Sequence, residues 1–481
     1  MNIGFSLVKM KVAALLLGPS GVGLVGVYQN LIQTGSTVSA LGFGTVGTRQ
    51  IASAQSSEDS TAVEHVRRAL MWGSLVLAIV GGLVFWSIRG WIATFVLDTP
   101  QKVEQVGWLS LGVALMVLAG SQSALLAGMR RIGDLARVQV ISGFAGTLIG
   151  ILLIYVLGAG GLLALVLVGP VSTAAFGAWY VAKLPRVKAP PTPLIKLRAE
   201  LRIMAALGTA FMLSGLMTTV GQLTVRALVQ HDLGLNALGQ FQAAWAIGMT
   251  YLTLVLGAMG ADYYPRLTQV IGDREAAGRI VNEQTEVALL LCSPLILTML
   301  ALAPYVVDLL YSQSFAPASE ILRWQLLGDI FKVLSWPLGF VLLAAGAGTT
   351  FFIAEAAGMA IFVGAVSALL PNIGIRATGV AFLGMYTFYL PLVWFLARRQ
   401  IGFRYSASVL RQAGALFMAG ASVSVCTRFS TMIGSTLGLL CATLFALYTV
   451  ERFSRMAAVG GRLGKLTSVS RRVVTLMKLR P

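Results

Sequence analysis

The chain predicts an all-α polytopic membrane protein with about 14 transmembrane helices. Three observations carry that reading. Of 481 residues, 57% are hydrophobic and only 11% charged, and the mean hydropathy of +0.82 lies outside the range of soluble domains. Apolar runs of the roughly 20 residues needed to span a bilayer recur from one end to the other, with no soluble domain between them. The runs are also continuous, unlike the ~10-residue alternating strands of an outer-membrane barrel. The spanning elements are therefore helices.

The first run, residues 3–17, stops at Gly18-Pro19 after about 15 residues, short of a full crossing. No basic stretch precedes it and no small-residue cleavage site follows, so it reads as a mature helix and not a signal peptide. Further helices are expected at 23–51, 69–97, 106–128, 138–157, 161–182, 203–229, 238–263, 287–310, 324–347, 351–370, 377–397, 412–426 and 433–450.

The net charge of +18 is explained by membrane orientation, because basic loops mark the cytoplasmic side. Alternate connections, counted with the basic end after Glu451, hold 27 of the 36 Lys and Arg residues; the opposite connections hold only Arg89, Lys102, Arg323, Arg376 and Arg428. Both termini and the central loop are thus expected in the cytoplasm, and no nucleic-acid partner is expected. The basic segment after Glu451 could also lie on anionic lipid.

The Pro-containing stretch 185–202 reads as a linker between two halves. Gln29 matches Gln242, a shift of 213; Arg49 matches Arg266, a shift of 217; Gly112 matches Gly328, a shift of 216. Six helices on each side of the linker then form parallel repeats. The expected organisation is a first lobe at 1–184, the linker at 185–202, a second lobe at 203–397, two additional helices at 398–451 and a basic cytoplasmic tail at 452–481.

Enzyme chemistry finds little support. Gly21 to Gly26 and Gly42 to Gly47 fit a dinucleotide-binding glycine pattern, but neither follows a strand in a βαβ unit. A turn and close helix packing explain them better. There is no Walker motif, zinc pattern or nucleophile triad, and Cys292, Cys426 and Cys441 lie singly in apolar runs. No cofactor or metal is expected, and His65 and His231 read as solvated loop residues.

A few ionisable residues remain inside the apolar runs: Lys9, Lys11, Arg226, Asp329, Lys332 and Glu355. A charge at mid-bilayer costs roughly 2.5–3.5 kcal/mol on insertion scales, so such groups need a partner, water or a ligand. Asp329 and Lys332 are three residues apart, hence on one helix face, and are expected to neutralise each other in part. The cations suit an anionic ligand, phosphate above all. Lys9, Lys11 and Arg226 could instead snorkel to an interface, and Glu355 could serve the dipole of its helix start.

At these residues the sequence resembles the Wzx-type lipid-linked oligosaccharide flippases, the O-antigen and enterobacterial common antigen translocases. These belong to the multidrug/oligosaccharidyl-lipid/polysaccharide (MOP) superfamily. The resemblance covers about the first 400 residues. It rests on Lys11 to Gly21 followed by Gln29, on Tyr263-Tyr264-Pro265-Arg266-Leu267-Thr268, on Trp324-Gln325-Leu326-Leu327-Gly328-Asp329 with Lys332, and on Ala354-Glu355.

The resemblance implies two six-helix lobes and alternating access around a central cationic cavity. It implies passage of an undecaprenyl-diphosphate-linked oligosaccharide from the cytoplasmic to the periplasmic leaflet of a bacterial inner membrane, coupled to an ion gradient. Arg226, Lys332, Lys11 and Lys9 would then bind the diphosphate, Asp329 and Glu355 would couple the ion, and Trp324, Gln325, Gln29 and Gln242 would line the cavity. Partners would be the lipid-linked glycan, membrane lipids and the glycan polymerase and chain-length proteins. The chain departs from the family in beginning partway through the first helix and in adding two helices after residue 398.

Two other functions fit the same composition. A small-molecule or drug cation antiporter of this fold would use the carboxylates, although bases outnumber acids among the intramembrane groups. A membrane glycan polymerase would need a sizeable outer loop, and the longest outer connection here is around 311–323.

Overall fold

Residues 2–56, 60–185 and 194–455 are described by the structure, a computed structural model. Every long element is a helix, and no strand occurs among the described residues. The helices are α1 (Asn2–Ala40), α2 (Phe43–Ser56), α3 (Ser60–Ser87), α4 (Val103–Gly128), α5 (Ile132–Leu157), α6 (Leu162–Ala182), α7 (Leu194–Val270), α8 (Arg274–Ala301), α9 (Ala303–Leu310), α10 (Ala318–Ala344), α11 (Gly348–Ile373), α12 (Arg376–Ile401), α13 (Ala407–Phe429) and α14 (Thr431–Arg455). Eleven described segments are long and apolar enough to cross a membrane. Three of these are each two helices, divided at Gly18, across Gly158–Gly161 and at Gly234, so the eleven segments hold fourteen helices among the described residues.

Helices are the physical requirement here, since hydrocarbon offers no partner for backbone N–H and C=O groups. Apolar side chains cover the outer faces as well as the core. Trp72, Val76, Ile79 and Leu83 of α3 and Leu148, Leu152 and Tyr155 of α5 are exposed. Where helices begin in water, side-chain caps return: Asp273 accepts from the backbone N–H groups of Glu275 (3.0 Å) and Ala276 (3.1 Å) ahead of α8.

By contact the chain divides into two compact units. One is Met1–Ala243 with Asp308–Phe315 and Val366–Ile375; the other is Ala244–Val307 with Ala316–Ala365 and Arg376–Pro481. Within the first, Phe43, Val46, Leu70, Leu125, Leu126 and Val138 form a buried cluster. Within the second, Tyr263, Val281, Leu338, Val341, Val393 and Phe403 do so. Of the expected linker, 186–193 lies outside the described residues, as does 456–481 of the expected tail.

One helix boundary differs from expectation. The run 23–51 is not one helix: Leu41 (φ 45°) and Gly42 (φ 69°) break it. Gly42 lies against the carbonyl of Gly208, a backbone contact that apolar periodicity does not report. The runs either side of Gly18-Pro19 are two helices, as expected, and meet within α1 at a kink where Gly18 has φ 66°, ψ −171°. Gly234 breaks α7 in the same way, at φ 80°, ψ 177°. This backbone region is open essentially to glycine alone.

The two breaks are 216 residues apart, and the same shift relates residues that touch. A Cβ on Gly23 would lie 2.8 Å from the Gly239 nitrogen, and Gly26 makes room for the side chain of Gln242. A single shift of 216 residues thus relates the two kinks and the contacts beside them; at that shift Gln242 corresponds to Gly26, three residues before Gln29.

Candidate functional site

In the first unit, the first arm of α7 carries Arg226 inward, where it is only 4% exposed. A guanidinium so desolvated needs hydrogen-bond partners. Its Nε donates to Gln242 Oε1 (3.1 Å), an Nη donates to the Gln222 carbonyl (3.0 Å), and the Phe241 ring centroid is 5.8 Å away. No carboxylate pairs with it within 4.0 Å. Arg226 and Gln242 are thus brought together, and Gly26 clears the space they occupy.

The other first-unit candidates lie elsewhere. Lys9 Nζ donates to the Leu165 carbonyl of α6 (3.0 Å), and Lys11 Nζ donates to the Asp308 carbonyl of α9 (2.8 Å). Neither shares a hydrogen-bond partner with Arg226. Gln29 is exposed and makes no side-chain hydrogen bond.

In the second unit, α10 presents Gln325, Asp329 and Lys332 along one face, spaced by four and three residues. Gln325 and Asp329 are fully buried. Asp329 Oδ2 accepts from the Tyr251 hydroxyl (2.6 Å), while Oδ1 is buried without a partner; both polar atoms of the Gln325 amide are also unpartnered. The expected neutralisation is not direct, because Asp329 and Lys332 form no ion pair within 4.0 Å. Lys332 Nζ is instead 3.4 Å from Met249 Sδ and faces the rings of Phe382 (5.8 Å) and Tyr386 (5.7 Å). The carboxylates of Asp329 and Glu355 both attract its ammonium.

Glu355, on α11, accepts from the Tyr389 hydroxyl, and Tyr389 packs edge-on to Tyr386 with centroids 6.0 Å apart. Gln325, Asp329, Lys332 and Glu355 are thus polar groups of one unit, set among Met249, Tyr251, Tyr386 and Tyr389, with no hydrogen bond or ion pair joining any two of the four. Trp324 is not part of this group. It lies on another face of α10, with Gly379 against its Cβ and Arg428 5.5 Å from its ring centroid.

Sequence reasoning missed the three tyrosines. One signal was available: Tyr386 and Tyr389 are a helical turn apart in an apolar run, where a buried hydroxyl implies a polar partner. Tyr251→Phe is expected to leave both Asp329 oxygens without a protein partner and to destabilise the protein by about 1–3 kcal/mol. A lowered unfolding temperature in detergent would show it; an unchanged one would mean that water or an ion already satisfies the carboxylate.

An unpaired ammonium, a half-satisfied carboxylate and an unsatisfied amide are polar groups that helix packing alone does not require. The arrangement holds no nucleophile–base pair, and no metal-binding cluster occurs among the described residues.

Comparison with known proteins identifies a family and a fold. Residues 12–320 match the family described as "Polysaccharide biosynthesis protein". The lipid III flippases of Escherichia coli (strain K12) and Shigella flexneri are each 24% identical over 416 residues, covering 83% of this chain and 96% of theirs. Among solved structures, an inward-facing multidrug resistance MATE family transporter of the MOP superfamily superposes with a TM-score of 0.72 at 18% identity, covering 84% of this chain and 95% of that one. The lipid II flippase MurJ, in an inward closed conformation, gives 0.66 at 12% identity, covering 94% and 100%.

Proposed function

Since this chain belongs to the polysaccharide biosynthesis protein family, we propose that it flips an undecaprenyl-diphosphate-linked oligosaccharide from the cytoplasmic to the periplasmic leaflet of a bacterial inner membrane. The coarser statement is firm: the chain is a multi-pass membrane transporter related to lipid-linked glycan flippases, and not an enzyme. The direction, the O-antigen type of glycan and an ion gradient as driving force are the proposal. So are cytoplasmic termini, on the strength of the basic loops, and a polymerase as downstream partner.

In this reading Arg226, Lys332, Lys11 and Lys9 are the phosphate-binding cations. Each lysine ammonium has three donors, and Lys9 and Lys11 each direct one at a carbonyl, which leaves donors for phosphate oxygens. Asp329 and Glu355 exchange a proton or cation during transport, with Gln325, Gln242, Gln29 and Trp324 as lining residues.

The observation that carries the reading is Lys332: a half-buried ammonium held by a thioether and two aromatic faces, with no carboxylate within 4.0 Å among the described residues. Such a cation is poised for an anion. A drug-cation exporter would want the reverse excess of charge.

In cells that depend on this chain for surface glycan, Lys332→Ala or Arg226→Ala should lower periplasmic display at least ~10-fold, the loss of one charge-assisted bond, while the protein remains inserted. Wild-type display by both variants would end the phosphate assignment.

A further inference from the structure

The two helices after residue 398 carry a second polar site, outside the group above. Between α13 and α14 lies a cleft of about 490 Å³ lined by Ser408, Arg411, Gln412, Leu444, Tyr448 and Arg452, with Ala415 and Phe445 completing it. Its polar residues cluster at one end of the helix pair. Ser408 and Arg411 are in the first turns of α13, and Arg452 is in the last turn of α14. Ala415 and Leu444 lie roughly 10 Å further into the bundle, at 1.5 Å per residue. The cleft therefore runs from a cationic mouth to an apolar floor. Its mouth shares an end of the second unit with Arg398 and Arg399 in the last turn of α12 and Arg404 on the connection before α13.

Glu286 organises the mouth from behind. Its Oε1 accepts from Arg452 Nε (2.8 Å), Gln412 Nε2 (3.1 Å) and Ser408 Oγ (3.2 Å), and Arg452 reaches Ser408 Oγ with a second nitrogen at 3.4 Å. That carboxylate is 15% exposed, against 37% for Arg452, so it is spent on fixing the guanidinium. Gln412 Nε2 also donates to the Tyr448 hydroxyl (3.2 Å), which leaves the hydroxyl hydrogen free to donate elsewhere. Arg411 uses only Nε, toward the Ala407 carbonyl (3.3 Å), and among the described residues its terminal nitrogens meet no acceptor.

What remains exposed at the mouth is mainly donors: the Arg411 terminal N–H groups, the Tyr448 O–H and the rest of the Arg452 guanidinium, while the one unpartnered acceptor, Gln412 Oε1, is buried. The lining side chains carry two positive charges, with one negative charge behind. An acceptor-only anion with an attached hydrocarbon chain fits both halves of the cleft. Basic pockets between transmembrane helices at headgroup depth bind phosphate-bearing lipids for this reason.

We propose that this cleft is a binding site for one anionic bilayer phospholipid, its phosphodiester held by Arg411, Tyr448 and Arg452 and an acyl chain lying along Leu444 and Phe445. The site stands independently of the transport reading, since none of its residues has a role there.

Native mass spectrometry of the full chain, released from micelles of equal phosphatidylglycerol and phosphatidylcholine, tests it. The wild type should retain one phosphatidylglycerol in preference to phosphatidylcholine. Arg411→Gln should reduce that retention about fivefold, the factor for one basic group at a membrane surface. Ala415→Trp, which fills the cleft without changing charge, should reduce it as well, and Arg399→Gln should leave it unchanged. Equal retention by the wild type and both cleft variants would overturn the site, as would an equal loss in Arg399→Gln, which would mean diffuse attraction. Displacement of the bound lipid by an equal concentration of a prenyl phosphate would overturn the assignment to a bilayer phospholipid.

Discussion

Replacing Lys332 by Met is expected to lower glycan translocation about 100-fold, because it removes a desolvated cation whose contribution to holding phosphate is on the order of 3 kcal/mol. Stability should fall too, since Asp329 and Glu355 lose their shared counter-charge, and stripping one partner from a buried charge group costs about 3–5 kcal/mol. A second substitution separates the two effects. Asp329→Asn in the Lys332→Met background removes the uncompensated carboxylate, so the unfolding temperature in detergent should recover. Translocation should not. If the double variant recovered both, the pair would be a packing device and the transport role of Lys332 would be lost.

Gly239→Val should prevent accumulation of folded protein in the membrane. A Cβ at Gly239 would be driven into the backbone of Pro19, beside the bend at Gly18, and Gly23 approaches Gly239 from the same arm of α1. Main chain meets main chain there, so no side chain can turn aside. Overpacking of this kind usually costs about 1–3 kcal/mol, and more where nothing can relax. Gly364→Val is the matched control: no atom lies within 4 Å of its Cβ position, and its level in membranes should equal that of the wild type. Equal levels of the Gly239 variant would mean that the two bends do not pack as described.

Much of this architecture was legible in the sequence, because a bilayer leaves few options. Apolar runs of spanning length dictated helices, and the count of fourteen follows from where they are interrupted. What composition could not show was continuity. At Gly18 and Gly234 two helices meet at a kink with no loop between them, whereas Leu41-Gly42 divides a run that reads as one helix. Both depend on φ, and an apolar pattern does not encode φ.

The site was legible in its charges and obscure in its partners. Asp329, Lys332, Glu355 and Arg226 stood out as expensive residues in apolar runs. Their spacing suggested that Asp329 would pair with Lys332, yet spacing on one helix says nothing of what neighbouring helices offer. Tyr251 and Tyr389 take the carboxylates, and Met249 with two aromatic rings takes the ammonium. Trp324 illustrates the converse. It heads the most specific sequence motif, but a helix turns 100° per residue, and at five positions from Asp329 it faces Gly379 and Arg428.

The central claim is that this chain moves a diphosphate-linked glycan lipid across a bilayer. The direct measurement is translocation of a fluorescent undecaprenyl-diphosphate oligosaccharide in vesicles holding the purified full chain, followed with and without imposed proton and sodium gradients. The wild type should transfer the labelled headgroup between leaflets faster than protein-free vesicles, with one gradient accelerating it and Lys332→Met abolishing it. Transfer no faster than in protein-free vesicles under every gradient, or undiminished in Lys332→Met, would contradict the account.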